Sequence, residues 1–261
     1  MIHPTALVDP AAQLSADVEI GPYSVIGAGA VIGANCKIQA HVVIEGAVKM
    51  GERNFVGYGA IIGAGPQDLS FDPRTQSSVE IGDGNTIREY CTIHRGSTEG
   101  GGTVMGNGNF LMVGTHLGHN CTLGNGVVIA NDCLLGGYAR IDDRAVIGGG
   151  SMFHQHVRVG RLALVQGRTT KSIPPFISVV ANYALGINVL GLRRAGLSAA
   201  ERDEIKRAFK LLYRSGLNTS QAVEMAKASD FGSLGREFFD FIATAGKRGI
   251  VAYRAGLEAD E

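Results

Sequence analysis

The residues best suited to chemistry cluster in Thr115-His116-Leu117-Gly118-His119-Asn120-Cys121, with His154-Gln155-His156 downstream. An imidazole titrates near neutrality, so it can take and return a proton at working pH. His119, Gly137 and Gln155 are spaced 18 residues apart. In a chain that coils with that period they would stack on one edge, each about 4.8 Å from the next. A histidine, a backbone N–H at a glycine and a side-chain amide would then share one wall. These are a plausible base, oxyanion donor and substrate anchor. No Ser-His-Asp nucleophile set is implied, and the sequence holds no P-loop, dinucleotide fingerprint, HExxH or GxSxG motif.

A lone histidine is more often a turn residue or a satisfied core residue than a catalyst. His116 and His119 flank Leu117, which is the inward position of its repeat, so both should lie nearer the outer surface. Imidazoles on such a scaffold could also hold zinc, as in a zinc hydratase. The third ligand is not obvious, because His94 precedes His116 by 22 residues and is off the coil period. No metal and no cofactor is expected.

Those positions need a scaffold with an 18-residue coil, and the apolar pattern supplies one. Aliphatic or Met side chains recur every six residues from Val8 through Leu14, Ile20, Ile26, Ile32, Ile38, Ile44, Met50 and Val56 to Ile62. The register returns at Ile81, Ile87 and Ile93, and again from Met105 through Leu111, Leu117 and Leu123 to Phe153, Val159 and Val165. Six matches neither the 3.6-residue helical period nor simple strand alternation. It fits a short strand and a tight turn with one large inward side chain, three of which close a triangular coil. Glycine, 38 of 261 residues, is about twice its usual share and often follows the anchor, as in Ile20-Gly21 and Ile32-Gly33. Glycine, Asn and Asp would supply positive φ at the turns. The architecture expected is a mainly β parallel β-helix.

Residues 66–80 and 96–103 break the repeat and are expected to project as loops. The repeat ends at Lys171-Ser172-Ile173-Pro174-Pro175, after which the chain reads as helix. Ser198-Ala199-Ala200-Glu201 is a capping box ahead of a face bearing Ile205, Ala208, Phe209 and Leu212, and Gly216 stops that helix. Further helices are expected over Thr219–Ala228 and Leu234–Ala245. The division is therefore a β-helix domain over 1–190 and a small α-helical domain over 191–261.

Net charge is zero, with 24 Lys+Arg against 24 Asp+Glu, which argues against a general nucleic-acid binder. Half of those basic residues fall in 191–261 and offer a landing site for an acidic partner or a phosphate group. No transmembrane segment and no secretory signal is read, and Cys36, Cys91, Cys121 and Cys133 suit small buried hydrophobes in a reducing compartment. A cytoplasmic protein is expected.

Several long stretches resemble one family, the UDP-N-acetylglucosamine O-acyltransferases that begin lipid A biosynthesis. They are PQDL, IREYCTIHRGS, THLGHNCTLGN, FHQ, ALGINVLGLRR and AFKLLYRSG, together with the repeats, and they cover nearly the whole chain. The resemblance implies a left-handed coil, a homotrimer and sites between neighbouring subunits. It also implies transfer of a 3-hydroxyacyl group from acyl carrier protein to the 3-hydroxyl of UDP-N-acetylglucosamine. Carried onto this sequence, His119 is the general base and the Gly137 N–H the oxyanion donor. Asp68, His116 and Gln155 contact the sugar, Asn188 and Arg194 contact the nucleotide, and Gly167 limits acyl length. Asn120 departs from the family's Asp, Tyr138 from a His, Leu190 from a Glu, Ala195 from an Arg and Ser70 from a Lys. These departures keep two alternatives open: a different UDP-sugar acceptor, such as a 3-amino sugar, or a silent homologue that binds sugar nucleotide or carrier protein.

Overall fold

The computed structural model describes residues 1–254. Most strands are only two residues long, and each pairs in parallel with a strand one coil away. The strands make three stacked sheets, the faces of a left-handed parallel β-helix. Register follows the period directly: His116 pairs with Leu134 and Leu134 with Met152. From Ile20 to Val165 every six-residue anchor is buried, whereas Val8 and Leu14, on the first coil, remain partly exposed. Each buried aliphatic contributes roughly 1.5–3 kcal/mol of transfer free energy, so the column of anchors is the core.

The turns differ from expectation in an informative way. Left-handed φ is taken at the corners by Tyr23, His41, Arg53, Tyr90, Tyr138, Arg144 and His156 as well as by Asn, Asp and Gly. Many glycines that follow an anchor have ordinary φ. They are glycines because a Cβ there would strike the next coil, at 2.7 Å from the Ala40 nitrogen for Gly21 and 2.7 Å from the Gly51 oxygen for Gly33. Close stacking, rather than turn conformation, selects them.

The two interruptions are insertions that leave the coil intact. Buried Asn54, Asn85 and Asn109 form a ladder in which each side-chain oxygen accepts the backbone N–H of the next coil, at 2.8, 2.9 and 2.7 Å. The sequence separations along that ladder are 31, 24 and 18, so the first two steps carry the inserted loops and the last is a plain coil. Arg95 ties the longer loop down, with its guanidinium donating to the Thr75 and Pro73 carbonyls and lying 5.0 Å from the Phe71 ring centroid.

After Pro175 the chain does not turn helical at once, as the sequence suggested. Ile177–Val180 and Tyr183–Ile187 form an antiparallel hairpin that pairs with Leu164–Gln166 and covers the last coil's edge. The β-branched residues Ile177 and Val179 face inward and bury, which favours strand over helix. Among the described residues four α-helices follow: α1 (Val189–Arg194), α2 (Ala199–Tyr213), α3 (Thr219–Lys227) and α4 (Ser233–Ala243). The expected division after residue 190 falls inside α1, and residues 255–261 of the expected second domain lie outside the described residues. The capping box forms as expected: Ser198 Oγ accepts from the Glu201 N–H, and Glu201 accepts the Ser198 N–H at 2.7 Å. Ile205, Ala208, Phe209 and Leu212 are the buried face of α2. Arg161 fastens α4 to the coil through a two-pronged pair with Glu237 at 2.9 and 2.8 Å.

Asn85→Ala should lower the unfolding free energy by about 2–3 kcal/mol, because it strands the buried Asn109 N–H without an acceptor. A lower midpoint in urea denaturation at fixed protein concentration checks this, and an unchanged midpoint would show that the ladder adds nothing.

Candidate active site

The strand His116–Leu117 delivers its leucine to the core and its histidine outward, and the chain then turns at Gly118-His119-Asn120. Asn120, Tyr138 and His156 occupy successive coils of that corner with φ of 58°, 60° and 62°. Their backbones are laddered: Tyr138 N–H donates to the His119 carbonyl at 2.9 Å, and His156 N–H to the Gly137 carbonyl at 3.0 Å. The residue before each of them is therefore fixed in the same orientation. That is how His119, Gly137 and Gln155 come to line one cleft of about 490 Å³.

His119 lies flat against Gly137. A Cβ at Gly137 would sit 2.4 Å from His119 Nε2, so no other residue fits under the ring. His119 Nδ1 is 2.9 Å from Asn120 Oδ1, an oxygen that can only accept. The ring proton is thus on Nδ1, and Nε2 presents its lone pair to the cleft. Among the described residues the Gly137 N–H has no intramolecular acceptor, whereas those of Gly136 and Tyr138 do. A base nitrogen and an uncommitted N–H therefore meet in one small space, as proton transfer coupled to oxyanion stabilisation requires.

His116 also faces this cleft, with Nδ1 2.7 Å from Thr92 Oγ1. Burial, and to a smaller extent neighbouring His94, push its pKa down to about 4, so it works as a neutral hydrogen-bonding ring. His94 is itself held low by burial, and its Nδ1 donates to the Gly65 carbonyl at 2.7 Å.

The sequence reading set His94 aside as off the coil period. Thr92 pairs with His116 at a separation of 24, the inserted loop having lengthened that coil, and the His94 and His116 rings meet edge to face at 5.0 Å. The ladder from Asn85 to Asn109, also separated by 24, carries the signal that could have found it. Gln67, from the longer loop, and Arg168 line the same cleft and were likewise not singled out.

The other expected contacts are not among the residues lining this cleft. Asp68 is exposed on the longer loop, and its carboxyl is held below the usual range chiefly by the Ser70 N–H, then by the Ser70 hydroxyl. Asn188 is buried at the start of α1, where Oδ1 accepts from the Gly191 N–H and Nδ2 donates to the Leu162 carbonyl at 2.9 Å. Its side chain caps a helix. Arg194 is exposed in the last turn of α1. Gly167 has a φ of 88° that favours glycine, and the neighbouring Arg168 side chain, rather than Gly167, reaches the cleft. Among the described residues no three His, Cys, Asp or Glu side chains are grouped to hold a metal ion. The four cysteines are buried and unpaired, with burial pushing Cys91 up to about 11 and Cys121 up to about 12, which suits packing rather than nucleophilic chemistry.

Coil, corner cleft and helical tail define a hexapeptide-repeat transferase. The bacterial transferase hexapeptide model matches residues 29–64 and 102–137, and the model for domain 2 of UDP N-acetylglucosamine O-acyltransferases matches residues 173–251. The acyl-(acyl-carrier-protein)-UDP-N-acetylglucosamine O-acyltransferase of Xanthomonas axonopodis pv. citri is 47% identical over 242 residues, 88% of this chain and 91% of that one. The crystal structure of the UDP-N-acetylglucosamine acyltransferase from Bacteroides fragilis superposes with a TM-score of 0.92 at 40% identity, covering 96% of this chain and 100% of that one. The Francisella novicida UDP-N-acetylglucosamine acyltransferase gives 0.91 at 35% identity over the whole of both chains. The chain belongs to the acyl-(acyl-carrier-protein)-UDP-N-acetylglucosamine O-acyltransferase family.

Two outcomes follow from the site's packing. Gly137→Ala should lower turnover at least a hundredfold with the thermal midpoint within a few degrees of wild type, since its methyl must displace the His119 ring; near-normal turnover would show that the ring need not lie there. Because the folded chain keeps His116 neutral down to about 4 and an unfolded chain protonates near 6.5, the unfolded state binds more protons between these values. Stability should therefore fall as the pH drops from 6.5 towards 4. In thermal melts His116→Gln should show a shallower fall; an identical slope would contradict the assignment.

Proposed function

We propose that His119 drives transfer of a 3-hydroxyacyl group from acyl carrier protein to the 3-hydroxyl of UDP-N-acetylglucosamine, the first step of lipid A biosynthesis. The observation that carries the mechanism is His119 Nε2 packed against Gly137, whose N–H has no acceptor among the described residues. Nε2 takes the sugar hydroxyl proton as that oxygen attacks the thioester carbonyl. The new C–O bond places negative charge on the carbonyl oxygen, which the Gly137 N–H stabilises; one such donor is worth about 10²–10³ in rate. Collapse breaks the C–S bond, and the imidazolium returns its proton to the departing thiolate. Neutral His116 and the Gln155 amide hold sugar oxygens, with Asp68 reaching in from the loop.

Exposed Arg194 at the end of α1, and Asn188 through its placing of that helix, are assigned to the nucleotide, which needs a second subunit to bring α1 over the site. A homotrimer supplies it. Exposed Leu7, Val25 and Ile61 form an outward apolar column on the sheet that carries His116, which favours a covered face. Gly167 remains the proposed limit on acyl length. Residues 1–190 act as the transferase scaffold, and 191–261 present the basic surface to the acidic carrier protein. No helix of the described residues is long and apolar enough to cross a membrane, and the unpaired cysteines favour a cytoplasmic setting.

Asn120 supports a second reading for the acceptor. Its neutral amide offers no counter-charge to an imidazolium, which matters less for an amine that attacks without prior deprotonation, as in a 3-amino sugar.

His119→Ala should lower product formation by at least a thousandfold without loss of secondary structure by circular dichroism. The assay is mass spectrometry of UDP-N-acetylglucosamine incubated with 3-hydroxyacyl carrier proteins. Wild-type yield in that variant would refute His119 as base.

A further inference from the structure

The loop inserted between Thr92–His94 and Gly102–Met105 looks like a tolerated interruption, yet one of its residues reaches the side chain that orients His119. Ser97 makes two contacts to a single atom: its backbone N–H and its hydroxyl both donate to Asn120 Oδ1, each at 2.9 Å. A backbone N–H can only donate, so the Asn120 atom facing it must be the amide oxygen. That same oxygen receives the His119 Nδ1–H at 2.9 Å. Were the amide rotated, its NH₂ group would face both Ser97 N–H and His119 Nδ1. The His119 proton would then move to Nε2 and the base lone pair would leave the cleft. The Ser97 hydroxyl is steadied in turn by the Tyr138 phenol at 3.2 Å, and the Tyr138 ring meets the His119 ring edge to face at 5.2 Å.

We propose that Ser97 is a positioning residue for acyl transfer: by holding the Asn120 oxygen it selects the Nδ1–H tautomer of His119 and leaves Nε2 free. The arrangement suits this chain because its orienting residue is an amide. An amide has one accepting end and one donating end and needs an outside donor to choose between them, whereas a carboxylate accepts at both. The insertion thus has a task in the site: it supplies the donor that sets the amide.

The inference rests on His119 as base, and the test separates the two. The full-length protein is labelled with 15N-histidine, and the His119 tautomer is read from its nitrogen shifts and couplings, independently of turnover. Wild type should show a single Nδ1–H tautomer. Ser97→Pro, which removes the backbone N–H and the hydroxyl together, should show mixed tautomers, with kcat down about tenfold or more, the size expected for losing two such hydrogen bonds, and KM for the sugar nucleotide within twofold. Ser97→Thr, which keeps the hydroxyl at a partly exposed position, should restore both. The proposal is overturned if Ser97→Pro keeps one Nδ1–H tautomer and full kcat, or if Ser97→Thr, which keeps both donors, loses as much as Ser97→Pro. Active His119→Ala would remove the base assignment, while the tautomer spectra would still decide whether Ser97 sets the ring.

Discussion

Parallel stacking of the coils is the constraint on which the rest of the structure depends. Backbone ladders lock each strand to the one a coil away, and a plain coil repeats at 18 residues, as between Asn109 and Val127. Residues distant in sequence therefore become lateral neighbours at about one strand spacing. The anchors bury down the axis, which leaves outward and corner positions free of packing duties. A corner on this scaffold is a place where backbone geometry recurs almost unchanged from coil to coil while side chains are free to differ. His119, Gly137 and Gln155 use that freedom: one position, three chemistries, one cleft.

Much of this was legible before any coordinates, because the core pattern is periodic and a period is easy to extend. The anchors, the stacking of His119 on Gly137 and Gln155, the capping box and the buried face of α2 all followed from spacing. What spacing could not supply was the consequence of breaks in the period. His94 was set aside as off register, yet the inserted loop lengthens its coil and returns it to His116. The hairpin at 177–187 was invisible for a related reason: it is the first antiparallel pairing in the chain and obeys no six-residue rule. Asn188 shows a different limit. The family motif marks it for nucleotide, whereas here its buried amide is committed to capping α1.

Electrostatically the cleft sets the fixed charge of Arg168 beside uncharged donors and acceptors. Burial keeps His116 uncharged, and His119 is oriented by an amide rather than a carboxylate. Such a lining suits a sugar, which directional hydrogen bonds can hold without further charge. Under the proposed mechanism catalysis depends less on a strong base than on geometry, with nitrogen, attacking oxygen and oxyanion donor held at fixed separations by the coil. It also explains why small departures around the pocket leave the scaffold untouched: corner side chains carry the chemistry, and the axis carries the stability.

The most direct test is a crystal structure with the acylated sugar nucleotide bound. The account predicts the sugar 3-oxygen within about 3 Å of His119 Nε2, the ester carbonyl directed at the Gly137 N–H, and a second subunit's α1 over the nucleotide. Product bound with its ester away from the His119–Gly137 corner, or enclosed by one subunit alone, would contradict it.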